Sequence, residues 1–312
     1  MKILNPIAVT DAMLLSCSIP ETDFAPWSAQ TTYPRGAFVI SPATHTVYRA
    51  LQGNNTGHDP DLEQLALADP LIDDPDPVFW QVIGATNRWR LFDGKPSVLA
   101  TAAEIIRVTL APGVAVGGVA GFGISAAEIR VTMTDAGAVV YQTTIAMQDE
   151  TIVSDGLSYY VAPITELSEF VLTDLPPYAA AQITLEASRR GGQVSVGQFL
   201  LGPVWSLGRP VIGGTGFQGV DFSYVKQDDY GDLTTVRRAA TRLSTFETCL
   251  PNAQLLGFDA RMRSLRGGTA AVWIGSDDPR KAAINYGFYR SYRAAYQTDA
   301  WSLISIEVQG IV

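Results

Sequence analysis

Residues 128–141, EIRVTMTDAGAVVY, decide the fold class. Ile129, Val131 and Met133 alternate with Glu128, Arg130, Thr132 and Thr134. That is the period-two pattern of a strand with one face buried and the other in water. Asp135-Ala136-Gly137 supplies turn chemistry, and Val139-Val140-Tyr141 resumes a β-favouring run, so the stretch reads as a hairpin. The same alternation recurs in Gln182–Ala187, Val194–Val196, Val220–Tyr224 and Ser302–Val308, the last with a slip at Leu303-Ile304. Asp155-Gly156, Pro176-Pro177 and Arg190-Gly191-Gly192 read as the turns between such strands. Only residues 61–69 suggest a short helix, and no long stretch has helical periodicity. Many short strands at regular spacing predict antiparallel sandwiches rather than a parallel sheet covered by helices.

The chain has 312 residues, 47% of them hydrophobic, enough for cores in two or three domains. The expected fold is all-β: a small aromatic-rich β module followed by two antiparallel β-sandwich, jelly-roll-like domains. Residues 1–85 hold an N-terminal arm plus the module, 86–207 the first sandwich and 208–312 the second. Gly208-Arg209-Pro210 marks the second boundary. A net charge of −9 argues against a nucleic-acid or anionic-membrane surface. No apolar run reaches membrane-spanning length, so no membrane insertion is expected. The start, MKILNPIAVTDAMLLSC, lacks a signal-peptide layout, which predicts folding in a cytoplasm. Cys17 and Cys249 have no CxxC spacing and read as two free thiols, with one bridge between them as the alternative.

Residues 26–60, PWSAQTTYPRGAFVISPATHTVYRALQGNNTGHDP, carry the candidate binding residues together with Trp80. Trp27, Tyr33, Tyr48 and Trp80 are spread through a short polar segment punctuated by Gly36, Gly53, Gly57 and Pro60. Flat rings left partly exposed suit sugar rings, whose faces are apolar and whose edges carry hydroxyls. The competing reading is that these aromatics pack against a neighbouring domain.

The order Trp27, Tyr33, Gly36, Val39, Tyr48-x-Ala50, Gly57, Pro60, Trp80 resembles the small chitin-binding type of carbohydrate-binding module, over the first quarter of the chain. One departure is the acidic, Pro-rich insertion at 61–77, which predicts that Trp80 leaves the face of Trp27 and Tyr33. The middle unit resembles the galactose-binding-like jelly roll through Trp89-x-x-Phe92-Asp93, Ile105–Val108, Glu128–Val131, Phe170…Asp174-Leu175-Pro176 and Val194-x-Val196-Gly197. The segments Asn87-Arg88-Trp89, Asp221-Phe222-Ser223…Val236-Arg237-Arg238 and Ile284–Arg290 are similar to bacteriophage tail sequences. Together these resemblances imply a virion component of a phage tail tip or baseplate. They further imply a homo-oligomer in contact with other tail subunits and with host-surface polysaccharide through Trp27, Tyr33, Tyr48 and Trp80. The alternative is a purely structural adaptor whose aromatics belong to an interface.

No catalytic constellation is legible. His45 and His58 lack metal-ligand or acid–base company, and no G-x-S-x-G elbow occurs. Gly214-Thr-Gly-Phe-Gln-Gly219 spells G-x-G-x-x-G, yet VDFSYVK follows as a strand, where phosphate binding needs a helix N-terminus. Asp73-Asp74-Pro75-Asp76 is the densest acidic cluster and reads as a solvated loop, with Ca²⁺ or paired-carboxylate chemistry as alternatives. Asp228-Asp229 and Asp277-Asp278 read as turns. Arg237-Arg238…Arg242 and Arg261-x-Arg263…Arg266 alternate with apolar residues as strand faces do and read as making intersubunit ion pairs or burying their stems against neighbours rather than binding nucleic acid. No enzyme activity, cofactor or metal is expected.

Overall fold

A computed structural model describes residues 1–68, 78–149, 165–227, 230–276 and 283–311. Strands β1 (Lys2–Leu4) and β2 (Leu14–Cys17) form the N-terminal arm. The aromatic module follows with β3 (Phe38–Ser41), β4 (Thr46–Ala50), helix α1 (Pro60–Ala68) and β5 (Trp80–Ala85). The middle unit contributes β6 (Ala100–Leu110), β7 (Gly118–Phe122), β8 (Glu128–Asp135), β9 (Ala138–Ala146), β10 (Glu169–Leu172), β11 (Gln182–Val196) and β12 (Gln198–Gly202). The last unit opens with β13 (Val204–Ser206), β14 (Arg209–Pro210), β15 (Gly216–Asp221), β16 (Tyr224–Gln227) and β17 (Leu233–Val236). It continues through β18 (Ala240–Pro251), helix α2 (Leu255–Ser264), β19 (Ala271–Ile274), β20 (Ile284–Tyr296) and β21 (Trp301–Gly310). Every named strand pair is antiparallel, so the chain is mostly β, as its alternation predicts.

The hairpin read at 128–141 is β8 and β9. Asp135 pairs with Ala138 across Ala136 (φ 48°) and Gly137 (φ 82°), the two positive φ values that let a two-residue turn follow the strand twist. In the middle unit a five-stranded sheet, β2-β6-β11-β8-β9, faces a three-stranded sheet, β10-β7-β12. Ile106, Val108, Ile129, Val131, Ile183 and Leu185 are buried in one core with Phe170, Val119 and Phe199. Each such side chain contributes about 1.5–3 kcal/mol by leaving water. Arg190-Gly191-Gly192 proves to be a bulge inside one long strand rather than a turn between two. The β6–β11 register slips between Ser188 and Gln193, Gly191 sits at φ 69°, and its N–H donates to Glu104 Oε1 at 2.7 Å.

The last unit is organised around one eight-stranded sheet, β13-β1-β19-β20-β21-β18-β14, with β15 also on β18. Its second layer takes a different form from the facing sheet expected of a sandwich. Helix α2 covers one face, with Phe258 and Met262 against Phe246, Leu250, Ile304 and Ile306. The β1-β19-β20 region packs through Leu4, Val272, Ile274 and Ile284 onto Ala120, Phe122 and Leu200 of the middle unit. Arg261 and Arg263 therefore lie on a helix, not on a strand face. The spacing Leu255, Phe258, Met262, Leu265 was the helical signal available. The slip at Leu303-Ile304 also resolves: Ser302, Ile304, Ile306 and Val308 all face the core, and Leu303 faces outward. Buried Ser302 is satisfied by donating to Asn252 Oδ1 at 2.6 Å.

The N-terminal arm pairs with the middle and last units rather than with the module it precedes. β1 lies between β13 and β19, β2 pairs with β6, and the link between them runs along β12 through Asn5 N–H to Pro203 O and Ile7 N–H to Leu201 O.

Candidate functional site

The module's three-stranded sheet, β3-β4-β5, sorts its side chains by parity. Val39 pairs with Tyr48, and Ala50 with Trp80, so these residues share a face. That face is closed by Tyr33, whose ring meets Trp80 edge-on at 5.4 Å between centroids. Trp80 is 1% exposed, Tyr48 3% and Tyr33 8%, and Trp27 packs half-buried beside them. The exposed face expected of Tyr33, Tyr48 and Trp80 is thus corrected: these three form the module's own core, and Trp27, half-buried, packs against them. A segment this small has little else apolar to bury, so its largest rings go inside. The insertion after Pro60 does not displace Trp80, which stays on the face of Tyr33 and Tyr48.

Two carboxylates missed by the sequence reading pin that core. Asp61, at the start of α1, accepts the Tyr48 hydroxyl at 2.8 Å, Thr44 Oγ1 at 2.9 Å and Ser41 Oγ at 2.5 Å. Burial, then the bond to Asp61, pushes the Tyr48 phenol above the ordinary tyrosine range. Glu63 accepts the backbone N–H of Phe79 at 3.1 Å and of Trp80 at 2.9 Å, which ties the helix to the start of β5. Trp80 Nε1–H donates to His58 O at 2.8 Å. The legible signal was Asp59-Pro60-Asp61: Asp59 Oδ1 accepts the Asp61 N–H at 2.9 Å, an Asx turn leading into a helix.

The opposite face presents different aromatics. Phe38, Arg49 and Gln81 form one exposed cross-strand row. Phe24 stacks on Phe38 with centroids 5.0 Å apart and planes 17° apart, and the Arg49 guanidinium lies 5.8 Å from the Phe38 ring. Phe24 and Phe38 are 41% and 39% exposed. A second stack, His58 on Phe79 at 3.5 Å, lies beside α1.

His45 sits where the module meets the middle unit, in the left-handed region at φ 55° and stacked on Trp89 at 4.0 Å. Its Nδ1 is 3.0 Å from Glu21 Oε1, which also accepts Thr86 Oγ1 at 2.8 Å. Nε2 lies 2.8 Å from Asp11 Oδ1 without hydrogen-bond alignment, a close approach rather than a directed bond. The cluster links three segments structurally, since Glu21 is shared between His45 and Thr86.

The remaining motifs resolve plainly. G-x-G-x-x-G at 214–219 runs into strand β15, so no helix N-terminus faces it. Cys17 and Cys249 are free, and burial pushes the Cys17 thiol up. Asp73–Asp76, Asp228-Asp229 and Asp277-Asp278 lie outside the described residues, and so does Asp155-Gly156. Among the described residues no group of three His, Cys, Asp or Glu side chains is placed to hold a metal ion, and no helix is long and apolar enough to cross a membrane. No known protein family, curated protein sequence or solved structure matches this chain.

Proposed function

We propose that this protein is a non-enzymatic assembly subunit, an adaptor of the kind used in bacteriophage tail tips and baseplates, held by other tail subunits. The observation that carries this reading over direct receptor binding is the burial of Trp80, Tyr48 and Tyr33. Rings committed to the module core are unavailable for stacking on a sugar. The order of tail-like segments along the chain supports the phage setting. Mass spectrometry of purified tailed particles, with electron microscopy of a deletion strain, tests the proposal. Recovery of the chain in particles, and loss of distal tail structure without it, supports an assembly role. Absence from particles overturns it.

A second reading rests on the Phe24–Phe38 stack. Two near-parallel, stacked and partly exposed rings flanked by Arg49 and Gln81 leave apolar ring surface on which a sugar could stack. Polysaccharide binding lost in Phe24→Ala/Phe38→Ala and kept in wild type supports it; no binding by multivalent wild type removes it.

A further inference from the structure

A cavity opens where the N-terminal arm leaves β12. The arm runs beside that strand through Asn5 N–H to Pro203 O and Ile7 N–H to Leu201 O, and no such bond continues to Phe199. The gap, about 210 Å³, has Pro6–Val9 on one side and Gln198–Leu200 on the other. Phe92 and Gly94 of the middle unit complete it, together with Ala270 and Tyr286 of the last unit. Arm, middle unit and last unit therefore meet at this one place.

Most of the lining residues are apolar, yet two are polar, deeply buried and without a partner for their donors. Gln198 is 2% exposed, and Gly94 N–H donates to its Oε1 at 2.9 Å. That bond fixes the amide's orientation, so Nε2 carries its two N–H groups away from Gly94 N. Among the described residues nothing accepts them. Tyr286 is 8% exposed, with its ring stacked on Phe122 at 5.5 Å, and its hydroxyl makes no hydrogen bond among the described residues. The two groups flank Gly94: a Cβ built there would lie 3.9 Å from the Tyr286 hydroxyl. Neither polar atom is sealed inside the protein, so both open onto the cavity. Buried polar side chains nearly always hold hydrogen bonds, so two unbonded ones on one cavity wall point to a ligand that bonds them.

Size and charge narrow the class of that ligand. A cavity of roughly 150 Å³ takes benzene, so 210 Å³ takes one ring with a small substituent. No Lys, Arg or His lines the cavity. Burial, then the Asp93 carboxylate, pushes the Tyr286 phenol up, which keeps its hydroxyl a donor. An anion would meet no cation there and would be repelled by Asp93.

We propose that this cavity binds a small neutral molecule, a single ring bearing a carbonyl oxygen. The ring lies against Ile7, Phe92 and Leu200, and the carbonyl accepts from Gln198 Nε2 and from the Tyr286 hydroxyl. A carbonyl oxygen has two lone pairs and takes both donors at once. A ligand held here bridges the arm to both units. This inference goes beyond the assembly reading and does not depend on it.

The test uses the full chain with benzamide as the probe, benzoate as its anionic counterpart and toluene as a ring without an acceptor. Methyl NMR of isoleucine-, leucine- and valine-labelled protein reads both the site and the affinity. Benzamide is expected to shift the methyl signals of Ile7, Val9 and Leu200, and benzoate to bind at least about tenfold more weakly. Tyr286→Phe keeps the ring and removes only the hydroxyl. It is expected to weaken benzamide about 3- to 10-fold, the effect of one hydrogen bond, and to leave toluene unchanged. Ala270→Phe fills the cavity and is expected to abolish binding; if that variant does not fold, the wild-type methyl shifts and Tyr286→Phe still decide. Equal affinity for benzamide and toluene overturns the proposal, as does a Tyr286→Phe variant that binds benzamide as wild type does. Benzoate binding as tightly as benzamide overturns the neutral class. No shift at Ile7, Val9 and Leu200 up to the solubility limit of benzamide also overturns it, and means that water alone meets Gln198 and Tyr286.

Discussion

At the residue scale, aromatics in one short segment have opposite fates, and substitution separates them. Trp80→Ala removes a ring that is 1% exposed, so a loss of about 3–5 kcal/mol is expected. Phe38→Ala, on the exposed row, is expected to change stability by less than about 1 kcal/mol. Equilibrium unfolding in urea checks both, and equal effects would refute the assignment of faces. Asp61→Ala leaves the hydroxyls of Tyr48, Ser41 and Thr44 without their acceptor, at about 1–3 kcal/mol for each group that stays buried. Hydrogen exchange should then rise in β3 and β4 before it rises elsewhere; uniform protection would argue against Asp61 as the pin. The phenols give a pH signature. Burial, then the 3.0 Å bond to Asp174, pushes Tyr141 up to about 12, and Tyr48 is raised in the same direction. A raised phenol pKa favours the protonated, folded form. Its stabilisation is fully present below about pH 10, the unfolded value, and is lost as pH rises through the folded one. Ultraviolet titration should show a high-pH tyrosinate step that Tyr141→Phe removes and Asp174→Asn moves downward.

At the element scale, close approach decides more than propensity. A Cβ built on Gly202 would lie 1.9 Å from Asn5 O, because the N-terminal arm is laid directly on β12. Gly202→Ala is therefore expected to displace the arm, at a cost of about 1–3 kcal/mol typical of overpacking. Limited proteolysis near residues 5–10 should accelerate; unchanged cleavage would show that the arm adjusts freely. The bulge in β11 is a second such device. Four residues, Arg189–Gly192, stand opposite Glu104 of β6, which is itself in the left-handed region at φ 57°. Alternation alone reads this as the end of one strand and the start of another, since a Gly pair looks the same in a bulge and in a turn.

At the scale of the whole molecule, the chain's first residues hold its last sheet together. β1 lies inside the eight-stranded sheet, with Ile3 and Leu4 fully buried in two different cores. The Met1 ammonium donates to Gly208 O at 2.7 Å, at the far end of β13. Removal of residues 1–7 is expected to lower the melting temperature by more than 10 °C, roughly the effect of losing two buried aliphatic side chains. Calorimetry should show the loss chiefly in the transition of the last unit, and an unchanged profile would mean that β13 and β19 close the gap without it.

The sequence by itself determined the strands that alternate cleanly, such as Glu128–Asp135 with its Ala136-Gly137 turn, because period-two patterning and turn chemistry are local. It also determined that the chain is mostly β and suggested a short helix over 61–69, which forms as Pro60–Ala68. Tertiary structure alone decided which aromatics are buried. The spacing of Trp27, Tyr33, Tyr48 and Trp80 is the same whether their face meets a sugar or one another, and only the closure of Tyr33 and α1 over that face chose between them. It likewise decided the partner of β1, a strand of three residues whose neighbours lie some two hundred positions away. Pairing across that distance is set by the packed whole, where burial of Ile3 and Leu4 outweighs any preference the local sequence expresses.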